Sequence, residues 1–275
     1  MPDYARPDSL PEALRLMAGG GRRVLAGGTD LYPGAGARLT GPVLDPGGLP
    51  GLVGVTAGQG LRIGAATPWA AIAAADLPPA ARALQQAARQ VGGVQVQNAG
   101  TIGGNLCNAS PAADGVPPLM ALEARVEILS AAGTRTMALD QFLLGPRRTA
   151  LAPDEILAAI LIPAAALSGR SAFVKLGARS HLVISIAMVA ARLVVEGDHI
   201  IQAAVAVGAC SPVAQRLALV EAALIGAPVA AAVSRIRAPD VQAALAPIDD
   251  VRATAAYRRE AAVELVRRAV QGALA

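Results

Sequence analysis

Large aromatic side chains are nearly missing from this sequence. Phe, Trp and Tyr together make up 2% of 275 residues. A core without such anchors has to be packed from Ala, Val, Leu and Ile, and the 54% apolar fraction is enough for a sizeable one. Lysine is almost absent too: Lys175 stands alone among 24 basic residues, the rest arginine. The excess of Ala, Arg and Gly reads as genomic composition bias. Net charge is a modest +4 and the arginines are scattered, with no basic run and no interleaved aromatics, so nucleic-acid binding is not expected. Only two cysteines occur, Cys107 and Cys210, in no CxxC pair. A chain with two thiols cannot ligate an iron–sulfur cluster alone, and unpaired thiols fit a reducing compartment. The opening MPDYARPDSLPEAL has no apolar h-region, so no secretory signal is expected. Uncharged runs at 91–113 (rich in Gly, Asn and Gln) and 63–75 (too short) give no membrane span. A cytoplasmic protein is the expectation. GxGxxG and GxxxxGK[ST] are both missing, as is a repeat at a solenoid period.

What the chain does have is a stretch at 98–114, NAGTIGGNLCNASPAAD. It is uncharged until its last residue and carries three glycines, three asparagines and two hydroxyl residues. Such a segment builds little core. It offers backbone N–H groups and small donors at close range, the material for cradling a phosphate. Residues 24–31, VLAGGTDL, are built the same way. Taken alone, the earlier segment also fits an ordinary strand-to-helix turn. Two such loops in one chain suggest one long phosphate-containing ligand held from two sides.

In chain order, Asp8 or Ser9 can cap a helix with Pro11 in its first turn, ended by the glycines at 19–21. Residues 23–26 read as a short buried strand, and 43–45 and 61–64 as further strands. Thr67 can cap a short helix over 68–75. Ala81, Leu84, Ala88 and Val91 mark an amphipathic helix that ends at Gly92-Gly93 and delivers the chain to the 98–114 loop. A short helix over 117–122, a hairpin over 125–139 and a strand over 154–163 follow. Composition shifts at 164–169, which sets a domain boundary between 1–166 and 167–275. Beyond it, β-branched runs at 172–176, 187–195 and 199–207, the last two joined by Glu196-Gly197-Asp198, predict a meander. Helices are expected over 213–225, in pieces over 228–246 broken by Pro239, and over 251–270 with Ala255, Ala262, Leu265, Val266 and Ala269 on the apolar side.

Four motifs, in order and covering essentially the whole chain, carry a family resemblance: AGGTDL at 26–31, NAGTIGGNL at 98–106 continuing to SPAAD at 110–114, FVKLGAR at 173–179, and DVRATAAYRR at 250–259. The chain resembles the FAD-binding medium subunit of the molybdenum hydroxylases, the xanthine dehydrogenase and carbon monoxide dehydrogenase group. The resemblance implies an α+β fold, with a two-subdomain FAD-binding domain of the vanillyl-alcohol oxidase type, then a smaller α+β domain of antiparallel sheet and helices. Carried over by position, it implies FAD contacts at Val24, Leu25, Ala26, Gly27, Gly28, Thr29, Asp30 and Leu31. It implies a second set at Thr101, Ile102, Gly103, Gly104 and Asn105. Asp114 matches the family's acid, Val91 and Leu157 match ligand-lining positions, and Lys175 matches a lysine near the flavin, where a point charge would stabilise the reduced ring. It further implies a large subunit with molybdopterin, a small subunit with two [2Fe–2S] clusters, and a dimer of heterotrimers. This chain departs from the pattern at Ala99, often arginine in the family. It also lacks the cysteine-bearing insertion of the benzoyl-CoA reductase branch.

His181 and His199 read as surface or turn residues with no acid or cysteine spaced to make a metal site or triad. Cys107 reads as a small buried thiol rather than a redox group. The arginines of 252–268 fit either a solvated face or a docking surface, and Asp250, Arg252 and Tyr257 match the family motif. The implied function is an electron-transfer flavoprotein subunit that takes electrons from [2Fe–2S] clusters and passes them to an external acceptor. It has no catalytic acid or base of its own and no metal site. The competing readings are a stand-alone FAD-dependent reductase and a scaffold subunit that has lost flavin.

Overall fold

The computed structural model describes residues 3–36 and 39–275. Its first unit grows from a capped helix. Ser9 Oγ accepts the Glu12 amide at 3.4 Å and Pro11 sits in the first turn of α1 (Leu10–Met17). Ala13 and Met17 turn inward onto Leu44, Leu49 and Leu52. Three two-residue strands, β1 (Tyr4–Ala5), β2 (Arg23–Val24) and β3 (Val43–Leu44), pair in parallel in the order β1-β3-β2. A single turn, α2 (Leu31–Gly34), follows β2. The strand expected over 23–26 is thus shorter, and Arg23 and Val24 are exposed, not buried. The reason is local. Leu25 donates to the Leu44 carbonyl at 2.7 Å, and there the parallel ladder runs out.

The second unit is a five-stranded antiparallel sheet in the order β4-β5-β10-β6-β7. Its members are β4 (Val55–Gly58), β5 (Gly60–Gly64), β6 (Arg125–Ser130), β7 (Gly133–Ala138) and β10 (Ile156–Pro163). A small hairpin, β8 (Leu143–Gly145) and β9 (Arg148–Thr149), stands apart from it. Along this unit run α3 (Trp69–Ala74), α4 (Arg82–Ala88), α5 (Val94–Ala99), α6 (Ile102–Asn108), α7 (Val116–Ala121) and α8 (Leu139–Phe142). Trp69, Ile72, Leu84, Ile102, Leu106 and Leu119 pack with Ile63, Val126, Ile128 and Ile160 of the sheet. Burying each such chain stabilises by about 1.5–3 kcal/mol before entropy is counted. Two expectations are corrected. Thr67 does not cap α3; its hydroxyl accepts the Gly54 amide at 2.9 Å, and Pro68 holds the cap position instead. The stretch after Gly93 is not one loop but two short helices, α5 and α6, joined by Gly100 and Thr101.

A one-turn 3-10 helix at Ala164–Leu167 leads to the third unit, a four-stranded antiparallel sheet. Its strands are β11 (Arg170–Leu176), β12 (Ala187–Glu196), β13 (His199–Gly208) and β14 (Gln215–Arg216), in that order. Gly197, at φ +60°, supplies the left-handed turn between β12 and β13. One face packs on the long helix α11 (Ala255–Leu274) and on α9 (Ala218–Leu224) and α10 (Ala238–Gln242). The other face, Phe173, Met188, Ala190 and Ala204, lies on Ala83 and Ala87 of α4 and Ala121 of α7. Alanines on both sides let helix and sheet approach closely where aromatics are scarce.

Three helix expectations change here. The run 213–225 starts as a strand, because Gln215 and Arg216 pair with Val207 and Ala206. Pro239 opens α10 instead of breaking a helix, since its missing N–H costs nothing in a first turn. The last helix begins at Ala255, not Val251. Asp250 Oδ1 accepts the Arg252 and Ala253 amides at 2.8 and 3.3 Å, which holds those residues in a turn, and Thr254 then caps. No helix among the described residues is long and apolar enough to cross a membrane.

Candidate functional site

The two glycine segments, far apart in sequence, meet. A Cβ built on Gly27 would run into the Ala99 carbonyl and stand 2.8 Å from Gly100 Cα. A Cβ on Gly100 would lie 3.3 Å from Thr29 Oγ1. Only glycine permits this backbone-to-backbone contact. Above it opens a cleft of about 560 Å³, within the range of sites for small molecules and cofactors.

The segments offer different things to that cleft. No N–H of residues 26–30 donates to an acceptor among the described residues. Gly28, at φ +70°, bends the chain in this run. Consecutive free amides around a left-handed residue form a concave anion-binding surface. Four amides of the second segment, those of 102–105, are spent. Ile102 donates to Thr67 O at 3.1 Å, Gly103 to Ala65 O at 2.8 Å, Gly104 to Thr101 Oγ1 at 3.0 Å and Asn105 to Thr101 O at 3.0 Å. What this segment presents is a bare wall at Gly104 and the side chain of Asn105. The Asn105 Oδ1 atom is buried and has no partner among the described residues.

Arginines stand around the opening. Arg22 pairs with Asp3 at 2.6 Å and Arg147 with Asn108 Oδ1, and both line the cleft. Arg147 sits at φ +59° on the β8–β9 turn, held by its own amide donating to Ala109 O at 3.0 Å. Glu155 is a carboxylate on the wall, but Arg135 grips it at 2.6 and 2.7 Å and holds its pKa below the usual range. Its charge is therefore committed elsewhere. Cys107 lines the cleft and is exposed, not buried as expected. Desolvation by the surrounding protein pushes the thiol pKa up to about 12.

Behind the cleft, Asp114 Oδ2 accepts from Lys175 Nζ at 2.6 Å and Oδ1 from Ser185 Oγ at 2.6 Å. Lys175 also donates to the Gln90 carbonyl at 3.1 Å. Burial pushes the Asp114 carboxyl upward, against the pull of the Lys175 charge and the two donors.

Known proteins share this whole plan. A family profile described as "FAD binding domain in molybdopterin dehydrogenase" matches residues 1–165, and one described as "CO dehydrogenase flavoprotein C-terminal domain" matches 172–273. The chain belongs to the FAD-binding medium subunits of the molybdenum hydroxylases. It is 33% identical to the glyceraldehyde dehydrogenase medium chain of Sulfolobus acidocaldarius, over 97% of this chain and 96% of that one. It is 31% identical to the nicotine 6-hydroxylase medium subunit of Paenarthrobacter nicotinovorans, over 97% and 95%. A solved carbon monoxide dehydrogenase from Hydrogenophaga pseudoflava, described as lacking the Mo-pyranopterin moiety of its molybdenum cofactor, superposes with a TM-score of 0.90 at 30% identity. That match covers 99% of this chain and 96% of the other. As a family member the chain is the flavoprotein part of an oxidoreductase, with the α+β fold the motifs imply.

The residues present fit FAD. A dinucleotide carries two linked phosphates, and the free amides of 26–30 form a cradle for such anions. Of the expected contacts, Val24, Ala26, Gly27, Gly28, Thr29, Asp30 and Leu31 line the cleft, as do Val91, Thr101, Gly104 and Asn105. Leu25 and Ile102 are buried in the packing beneath. Gly103 and Leu157 border a side cavity of about 100 Å³ that shares its wall with the cleft. Asp114 and Lys175 do not line this cleft; they bond each other, and Lys175 lines a separate opening of about 350 Å³ with Gln90. Sequence reasoning missed Trp69, Gly100 and Arg147, which also line it. The lone tryptophan was a signal for the first. Nothing in a Pro-Arg-Arg turn announces the third.

Proposed function

We propose that the chain holds one FAD non-covalently in this cleft and acts as the electron-transfer subunit of a molybdenum hydroxylase complex. The observation that carries this reading is the run of amides at 26–30, without an acceptor among the described residues, in a cleft also lined by Thr101, Gly104 and Asn105. The amides and Thr29 would hold the pyrophosphate, with Asn105 and Thr101 donating to ribityl oxygens. Val24, Val91 and Leu31 would give apolar contact, and Leu157 and Gly103 would border the side cavity. FAD bound there supplies reversible uptake and release of electrons, which suits the subunit to hand reducing equivalents to an external acceptor. The chain's own residues exclude water and fix the cofactor's position; none is placed as a general acid or base.

The partners follow from the family. Relatives named as medium subunits and chains, and a carbon monoxide dehydrogenase named for its molybdenum cofactor, support a molybdopterin-binding large subunit. The family resemblance adds a small subunit with two [2Fe–2S] clusters and a dimer of heterotrimers. We place the FAD-binding domain at 1–166 and the C-terminal domain at 167–275. The two free cysteines suit a cytoplasmic setting.

The test is the visible spectrum of the purified chain, before and after heat release, with FAD added back. A flavin band released as FAD and restored on reconstitution is expected. A colourless chain that takes up no FAD, alone or with its partner subunits, would overturn the reading and favour a scaffold subunit.

A further inference from the structure

The sole tryptophan of the chain lines the cleft, yet Trp69 is only 1% exposed. Backbone bonds fix where it stands. Its amide donates to the Gly100 carbonyl and the Ile102 amide to the Thr67 carbonyl, both at 3.1 Å. Two glycines leave room for one edge of its ring. A Cβ built on Gly100 would stand 3.6 Å from Trp69 Cδ1, and one built on Gly115 would stand 3.2 Å from Cζ2 and 2.5 Å from Cη2. In an indole the N–H lies between Cδ1 and Cζ2 along one side of the ring. The polar edge is therefore the one these glycines frame.

A buried tryptophan N–H normally finds an acceptor in the protein. This one has none among the described residues. It does not bond Asn105 Oδ1, which would stand 3.1 Å from the same Gly115 Cβ and is itself without a partner. The buried unpartnered side-chain atoms among the described residues are Asn105 Oδ1 and Arg258 Nε, so the Trp69 nitrogen is not sealed in the core. The small part of Trp69 that is exposed includes its N–H, and the cleft is what that N–H faces.

Resting on the flavin reading above, we propose that Trp69 is a further cofactor-binding residue, whose indole N–H donates to an oxygen of bound FAD, either a phosphate oxygen or a ribityl hydroxyl. Its surroundings suit both. At the Cδ1 end, Gly100 meets Gly27 and lies beside Thr29, in the run of free amides; at the other end, Gly115 stands beside Asn105. A ring already confined in this way gives up little freedom when the ligand arrives, so the bond costs little in ordering.

The experiment uses the full chain with FAD and inorganic pyrophosphate as probes. Because the chain has one tryptophan, labelling tryptophan with nitrogen-15 gives a single indole N–H resonance. For the same reason, replacing tryptophan throughout by benzothienylalanine, which puts sulfur in place of the N–H and keeps the two fused rings, changes position 69 alone. The indole proton is expected to move downfield as FAD binds. The benzothienyl chain is expected to bind FAD about tenfold more weakly in a fluorescence titration, because a hydrogen bond to the ligand is lost. The thermal midpoint of its apo-protein should stay unchanged, because the packing is kept.

A downfield move with pyrophosphate, which has no aromatic ring to shift the proton by other means, assigns the acceptor to the phosphates. A move with FAD alone, together with the weaker binding of the benzothienyl chain, assigns it to the ribityl chain. Either supports the inference. A benzothienyl chain with wild-type FAD affinity would overturn it, and should that chain fail to fold, the wild-type resonance still decides. A wild type that binds FAD with its indole resonance unmoved overturns this inference alone. A wild type that takes up no FAD overturns the flavin reading and this inference with it.

Discussion

Residues 26–30 and 101–105 look interchangeable in sequence, each a small-residue run with a glycine pair and a threonine. In the fold they are opposites. The first has left its sheet at Leu25 and joins α2 only at Leu31, so its amides have no acceptor among the described residues. The second is the start of a helix with the amides of 102–105 consumed by Ala65, Thr67 and Thr101. The glycines also serve different ends. Gly27 and Gly28 shape the ligand-facing backbone, whereas Gly103 lets α6 press onto Ala65, where a Cβ would stand 2.6 Å from both the Ala65 Cβ and its carbonyl oxygen. Composition alone does not tell a binding loop from a tightly packed helix start; hydrogen-bond accounting does.

This contrast predicts graded outcomes. The largest belongs to Gly27→Val. Its branched side chain would strike Ala99 and Gly100, part the two segments and tilt the free amides, so FAD affinity should fall about a hundredfold, roughly 2.8 kcal/mol. Flavin absorbance per chain after gel filtration reads it, and retained stoichiometric flavin would break the comparison. Next is Gly103→Ala, an overpacking change that should cost stability by about 1–3 kcal/mol in urea unfolding. Because Gly103 faces Ala65 and not the amide cradle, FAD affinity of the folded variant should fall less than in Gly27→Val. The reverse order would mean the second segment holds the ligand by its backbone. The smallest effect is expected from Thr101→Val, which removes the α6 cap at about 1 kcal/mol. That change also frees the Gly104 amide beside the cleft, so a gain in affinity for inorganic pyrophosphate, measured by calorimetry, would sharpen the contrast further.

Much of the fold is legible in the sequence. The meander of β11 to β13, the turn at Gly197, the β6–β7 hairpin and the strand at β10 all declare themselves through alternation and β-branched runs bounded by turn residues. What misled was local chemistry with a distant owner. Thr67 has every property of a cap but is taken by Gly54. Gln215 and Arg216 sit in a helical pattern but are drawn into the sheet by β13. Val251 follows helical spacing, yet Asp250 captures the amides of Arg252 and Ala253 and delays the helix. Asp250 also binds Arg258 at 2.7 Å. Desolvation would raise its carboxyl, but the hydrogen bonds from the Arg252 amide and from the Arg258 and Arg252 side chains outweigh it and bring the pKa down to about 2.

By itself the sequence determined most of the helices and strands, that the core is built of small aliphatic residues, and which motifs belong to one family, since propensity, periodicity and motif order are local properties of the chain. Only the tertiary structure decided which of two similar glycine runs keeps its amides free, and that the lone lysine is tied to Asp114 across a domain boundary. Both depend on which acceptor lies within about 3 Å in space, and that is a property of packing, which sequence spacing does not encode.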